Sequence, residues 1–148
     1  MPVTIESSRF GPLEVPDEAV IEFPAGLIGV GGRRFALLVR DESSPFRWLQ
    51  ETERAELALP VASPFEFFPD YVVEISDGEA ERIGISDPDE AEVLAIVRAA
   101  PQLEDFTINL MAPILVSRGK AHQVINEAPG ADLRAPLLAG LAAARSHR

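Results

Sequence analysis

Apolar positions along the chain fall in short runs, and most of those runs alternate with period two. Residues 19–23 (Ala-Val-Ile-Glu-Phe) read as a strand closed by Pro24, and Thr4-Ile5-Glu6 alternates weakly. Residues 33–40 have a nearly continuous apolar middle from Phe35 to Val39, the pattern of a strand covered on both faces. Residues 46–50 alternate, so Phe46, Trp48 and Gln50 share one face and Leu49 takes the other. Residues 57–61 form a strand that Pro60 demotes to an edge or a bulge. An aromatic bend over 64–70 leads into a strand at 71–75, and Asp77 is placed to cap a short helix running to Arg82. Residues 91–100 are assigned to strand, since Pro101 stops the run and the surroundings are β. Residues 106–116 read as one long strand bent at Ala112-Pro113, returning through the tight turn Arg118-Gly119-Lys120 as a hairpin over 121–125.

Punctuation supports this reading. Thirteen prolines in 148 residues leave no Pro-free stretch longer than twenty, which excludes long helices except near the end, where Leu137, Leu138, Leu141 and Ala144 have helical spacing behind Pro136. The predicted fold is mainly β: a small, single-domain barrel-like fold of short antiparallel strands with few short helices, spanning 1–136, with a short helical tail over 137–148. The chain contains no cysteine, which removes disulfides and thiol chemistry and suits a reducing compartment. No apolar run reaches bilayer-spanning length and no secretory signal opens the chain, so a cytoplasmic location is expected.

Charge changes the picture more than composition does. Twenty-four acidic residues against thirteen basic ones give −11, which disfavours direct contact with nucleic acid phosphates. Residues 40–92 hold fifteen acids and four bases, so the entire excess lies in the middle third. That segment is either a solvated face or a docking surface for a basic protein.

Candidate chemistry is sparse. The glycine loop at Gly26, Gly29, Gly31 and Gly32 lacks the Lys-Ser/Thr of a P-loop and precedes a strand, so a turn needing positive φ explains it better than a phosphate cradle. His122 and His147 are the only histidines, no Gly-x-Ser-x-Gly elbow occurs, and Asp87-Pro88-Asp89-Glu90 lacks the glycine and glutamate of a calcium loop. Neither catalysis, nor a metal, nor a cofactor is expected. Trp48 serves either as core or as a partner-facing anchor; because Phe46 and Trp48 together bury more area than Leu49, the expectation is Phe46 and Trp48 inward, with Leu49 and Gln50 at a rim and a strand end or bulge near Leu49. Asn109, amid Ile108, Leu110 and Met111, and Gln123 must satisfy their amides, which favours a structural role in a turn or bulge.

Several of these segments, taken in order, carry a family resemblance. They are Ile21-x-Phe23-Pro24-x-Gly26-Leu27-Ile28-Gly29, then Phe35-Ala36-Leu37-Leu38, Pro45-Phe46-x-x-Leu49-Gln50, the strand with Pro60, Asp70-Tyr71, Thr107-x-Asn109-Leu110-x-Ala112-Pro113-Ile114 and Gln123-Val124-Ile125. Together they resemble the FliW family of flagellar assembly factors over about residues 5–137. Departures are Glu51 where the family commonly has Ser, Ser117 where it often has Asn, and Val30 where an aromatic is usual. The resemblance implies a non-enzymatic β-barrel that binds flagellin and sequesters the translational regulator CsrA, relieving repression of flagellin synthesis. Candidate partner-binding residues are then Leu49, Gln50, Glu51, Glu53, Glu56, Asp70, Asp77, Glu79 and Glu81. Gly26, Gly29, Pro45, Phe46, Trp48, Asn109, Pro113 and Gln123 form the structural motif. A basic RNA-binding protein would meet the acidic segment, and flagellin's amphipathic terminal helix the aliphatic and aromatic positions. The alternative is a barrel that binds a small ligand or a flavin.

Overall fold

The computed structural model describes residues 2–27, 32–39, 42–85 and 91–137. Its elements are β1 (Val3–Ser7), β2 (Gly11–Val15), β3 (Val20–Glu22), β4 (Arg34–Leu38), β5 (Phe46–Glu51), β6 (Ala58–Ala62), α1 (Asp77–Ile83), β7 (Glu92–Arg98), β8 (Thr107–Ile108), β9 (Ile114–Ser117), β10 (Lys120–Gln123) and β11 (Ala135–Pro136). Strands β7-β6-β5-β4-β3-β10-β9 follow one another, and β9 pairs back onto β7, closing a β-barrel. β8 continues along the edge of β7 that β9 uses and carries β11. Every pairing is antiparallel except the short parallel contact of Lys120 with Glu22 between β10 and β3. No helix among the described residues is long and apolar enough to cross a membrane.

The barrel is apolar on both faces. Its interior holds Ile21, Phe23, Leu27, Phe35, Leu49, Val61, Leu94, Ile114 and Ala121. The alternate positions of the same strands point outward, and three covering segments bury them. The hairpin β1–β2 lies over Ala36 and Leu38 through Ile5 and Val15. The aromatic bend and the chain around β11 cover Ala62, Ala95, Val97 and Ile108 through Phe67, Ala135 and Leu137. Ile83 and Ile85, at the end of α1 and just beyond it, cover Val93, Leu115 and Val124. This explains the continuous apolar runs: Val93, Leu94 and Ala95 are all buried because adjacent residues serve different cores.

The chief correction concerns β5. Leu49, expected at a rim, is fully buried in the barrel interior, while Trp48 faces outward against the hairpin and is half-buried. Gln50 is fully buried too, because the hairpin lies over it, and Glu51 is 5% exposed. The register from Leu38↔Trp48 to Phe35↔Glu51 runs unbroken, so no bulge or strand end occurs at Leu49. The comparison of the area of Phe46 and Trp48 with that of Leu49 failed because the outer face, where Phe46 and Trp48 both lie, has cores of its own.

Other elements shift for definable reasons. Residues 71–76 do not join a ladder, although alternation suggested a strand there. Side chains satisfy this segment instead: Asn126 Oδ1 accepts from Glu74 N at 2.8 Å and Asn126 Nδ2 donates to Val72 O at 2.8 Å. Ser76 rather than Asp77 caps α1, its Oγ accepting from Glu79 N at 3.1 Å. Strand β6 is interior to the barrel, not an edge. Pro60 is tolerated because it pairs with Trp48 on β5, whereas pairing to β7 begins only at Val61. The sequence pattern did not show β2, which opens on Gly11-Pro12.

The bend in the strand predicted over 106–116 is real and larger than expected. β8 and β9 both pair with β7, and residues 109–113 bulge out between them. Asn109 Oδ1 accepts from the backbone of Met111 and Ala112, both at 3.1 Å, and Gln123 Nε2 donates to Ala112 O at 3.1 Å. Gly26 has φ +74 in a turn whose N–H reaches Phe23 O at 2.9 Å. Gly32 leaves room for the Phe35 ring, which a Cβ would meet at 2.5 Å. Gly29, the segment Asp87-Pro88-Asp89-Glu90 and all of the expected helical tail beyond Leu137 lie outside the described residues.

Asn126 is a buried hub that sequence reading did not single out. Besides the bonds above, its Nδ2 reaches Tyr71 Oη at 3.1 Å and Leu110 O at 3.4 Å, and its Oδ1 accepts from Ala128 N at 3.0 Å. Tyr71 Oη donates to Leu110 O at 2.7 Å, and burial holds the Tyr71 phenol above its ordinary pKa. Asn126→Ala removes the partner of several part-buried backbone groups at once, so urea unfolding should show a loss within the ~1–3 kcal/mol expected for unsatisfied polar groups. Asn126→Asp, which keeps the acceptor and loses the donor, should recover only part of it.

Candidate protein-binding groove and acidic surface

Two of the covers leave a seam between them. It is an open groove of about 380 Å³ whose floor is formed by Phe46 and Trp48 of β5, Pro60 of β6 and Val97 of β7. Arg9, Ser44, Ala99 and Phe106 form its walls. Trp48 and Pro60 are directly opposed across the β5–β6 ladder, so both present their outer sides to the groove. Phe46 stacks near Phe67, with ring centroids 6.1 Å apart, and lies 6.3 Å from Phe106, which ties the floor to the aromatic bend. On the hairpin side, Phe10 meets Trp48 edge-on at 5.5 Å, and the Arg9 guanidinium sits 4.4 Å above the Trp48 ring. Among the described residues Arg9 is the only charged one lining the groove.

Gln50 sets the hairpin in place. Its Oε1 accepts from Ser7 Oγ at 2.7 Å, and its Nε2 hydrogens are directed at the carbonyls of Glu51, Arg54 and Ala55, 3.1–3.3 Å away. Ser7 Oγ in turn accepts from the backbone N–H groups of Arg9 and Phe10. The turn carrying Arg9 and Phe10 to Trp48 is therefore fixed by a buried amide on the same strand as Trp48.

The acidic candidates divide among different segments. Glu53 and Glu56 are exposed on the β5–β6 turn, beside the hairpin that bonds to Ala55 O through Ser8 N at 2.8 Å. Glu51 is not presented outward: its Oε1 accepts from Glu53 N at 3.1 Å and its Oε2 lies 3.4 Å from Arg54 Nε. Asp70 is exposed at the end of the aromatic bend. Asp77 and Glu81 are exposed on α1, whereas Glu79 is bound by Arg82, which holds its carboxyl below the usual carboxylate range. The structure thus spreads Glu53, Glu56, Asp70, Asp77 and Glu81 around the covers and withdraws Leu49, Gln50 and Glu51 from contact. Among the described residues no cluster of His, Asp and Glu is arranged to hold a metal ion.

These features define a small closed β-barrel with a side-chain-filled interior, whose distinctive surface is an aromatic groove on an acidic molecule. The FliW protein family profile matches residues 4–137. The flagellar assembly factor FliW of Desulfitobacterium hafniense (strain Y51) is 41% identical over 118 residues, covering 79% of this chain and 78% of the relative. The flagellar assembly factor FliW of Bacillus licheniformis is 40% identical over 124 residues, covering 82% and 87%. A crystal structure of the flagellar assembly factor FliW superposes with a TM-score of 0.79 at 26% identity, covering 90% of this chain and 96% of that one. The chain belongs to the FliW family of flagellar assembly factors.

Arg9→Ala removes the cation above Trp48 without touching the ladder. It should cost about 0.5–1 kcal/mol in denaturant unfolding and make Trp48, the only tryptophan, more open to acrylamide quenching.

Proposed function

We propose that this chain acts by holding protein partners and carries out no reaction of its own. In this reading the aromatic groove takes an amphipathic helix from flagellin, and the exposed acids meet a basic CsrA-type translational regulator. Flagellin in the groove leaves the regulator free to repress; once flagellin is exported, the emptied factor sequesters the regulator and flagellin synthesis resumes. The setting is the cytoplasm, and no cofactor is required. The observation that carries the reading is the groove itself: an open apolar strip, formed by Trp48, Phe46, Pro60 and Phe106, on a molecule of net charge −11. Such strips receive the apolar face of a helix, whereas long-range negative charge speeds encounter with a basic partner. The filled barrel interior disfavours the small-ligand or flavin alternative.

Two variants separate the surfaces. Ala99 is exposed on the groove wall, so Ala99→Arg should leave folding intact and block the helix, weakening flagellin binding by roughly 30-fold, the size of a hot-spot loss. The same variant should bind the regulator normally. Conversely, Glu53→Gln with Glu56→Gln should slow regulator association and spare flagellin. Raising salt from about 50 to 500 mM shortens the Debye length from roughly 14 to 4 Å, so stopped-flow on-rates for the regulator should fall severalfold. On-rates that ignore salt, or flagellin affinity unchanged by Ala99→Arg, would contradict this assignment.

A further inference from the structure

On another side of the barrel, the β9–β10 turn faces the end of α1 across an open hollow of about 630 Å³. Ser117, Arg118, Lys120 and His122 line one side, and residues 83–85 line the other. Three of those four side chains are basic, in a chain whose net charge is −11. Lys120 and His122 are two residues apart on β10, so they project to the same side, opposite the buried Ala121.

Three details make this more than a chance cluster. Arg118 occupies the first position of a two-residue hairpin turn with φ 55, a left-handed conformation that suits Gly or Asn and strains a long side chain. An arginine there costs turn stability and brings a guanidinium to the mouth of the hollow. Second, among the described residues neither Arg118 nor Lys120 has an ion-pair partner. Third, His122 Nδ1 is buried and has no hydrogen-bond partner among the described residues, an uncommon state for a polar atom.

We propose that this hollow binds a doubly charged phosphoryl oxyanion, gripped by Arg118 and Lys120 and completed by Ser117 and His122. Arg118 supplies a planar fork of donors, Lys120 a compact charge and Ser117 a hydroxyl, the donor set that phosphate oxygens accept best. Among the described residues the neighbouring charges are Arg82 and Glu79 on α1, already paired with each other, and Glu22 on β3, in register with Lys120. Burial, Arg82 and Lys120 together hold the His122 imidazole below its ordinary pKa, against a smaller opposing pull from Glu79. A bound dianion reverses that balance and favours the imidazolium. The phosphoryl group comes either as free phosphate or on a phosphorylated side chain, and the proposal is independent of the partner reading above.

The test uses the full chain in chloride buffer and follows the His122 ring by NMR, with His147 as internal reference and His122→Gln for assignment. Inorganic phosphate should shift His122 saturably at millimolar concentration and raise its pKa, while acetate at the same ionic strength should not. Arg118→Asn with Lys120→Gln should weaken phosphate binding by at least about tenfold. Because Asn suits the left-handed turn, Arg118→Asn alone should unfold no earlier than the parent on heating. O-phosphoserine binding at least about tenfold tighter than phosphate would mark a protein-borne group as the source; equal affinity would mark the free ion. No saturable shift with either compound, or equal affinity in the double variant, would overturn the proposal.

Discussion

The structure is governed by one constraint: a barrel whose strands are apolar on both faces cannot stand in water by itself. Phe35, Leu49, Val61, Leu94 and Ile114 fill the inside, and Ala36, Leu38, Ala62, Ala95 and Leu115 need cover on the outside. Burying apolar area is worth roughly 25 cal/mol per Å², so each uncovered outer patch would forfeit stability in proportion to its size and invite association. The hairpin β1–β2, the aromatic bend with β11, and the end of α1 each meet part of that need. They are not ornaments on a finished barrel.

Covers made of short segments need fixing, and buried amides do it. Gln50 ties the hairpin to β5 through Ser7 and to the β5–β6 turn through Arg54 and Ala55. Asn126 ties the unpaired segment 71–76 to the bulge at 109–113 through Val72, Glu74, Tyr71 and Leu110. Each amide satisfies backbone groups that have no ladder partner, so each position is specified by hydrogen bonding as well as by packing. The surface follows from where those covers stop. Between the hairpin and the aromatic bend, the outer faces of Phe46, Trp48 and Pro60 remain open, and that gap is the groove.

Fold class was legible because strand alternation and proline spacing are local signals. The helix at 77–83 was legible as an element although Ser76, not Asp77, caps it, and the bend was legible from Pro113 interrupting an apolar run that holds the polar Asn109. The direction of β5 was not. Period two says that Trp48 and Leu49 face opposite ways, but only the closed topology says which way is in, and only the hairpin makes Gln50 buried. The same limit applies to the candidate contacts: nothing local reveals that Leu49 points into the closed barrel, that the distant hairpin covers Gln50 through Ser7, or that Glu51 turns back onto Glu53 and Arg54. Glu53, Glu56, Asp70, Asp77 and Glu81 are exposed, in keeping with the concentration of acids over 40–92. Asn126 left no local trace; a polar residue beside Ile125 near a proline reads as an ordinary loop.

The central claim is that the gap between two covers is the surface a helix fills, and Trp48 stands in its floor as the only tryptophan. Titrating the isolated terminal helical segment of flagellin while recording Trp48 emission and acrylamide quenching tests this most directly. The account predicts a saturable blue shift with strongly reduced quenching, because the helix expels water from the groove. Binding detected by calorimetry with Trp48 emission and quenching unchanged would contradict it and move the helix site elsewhere on the barrel.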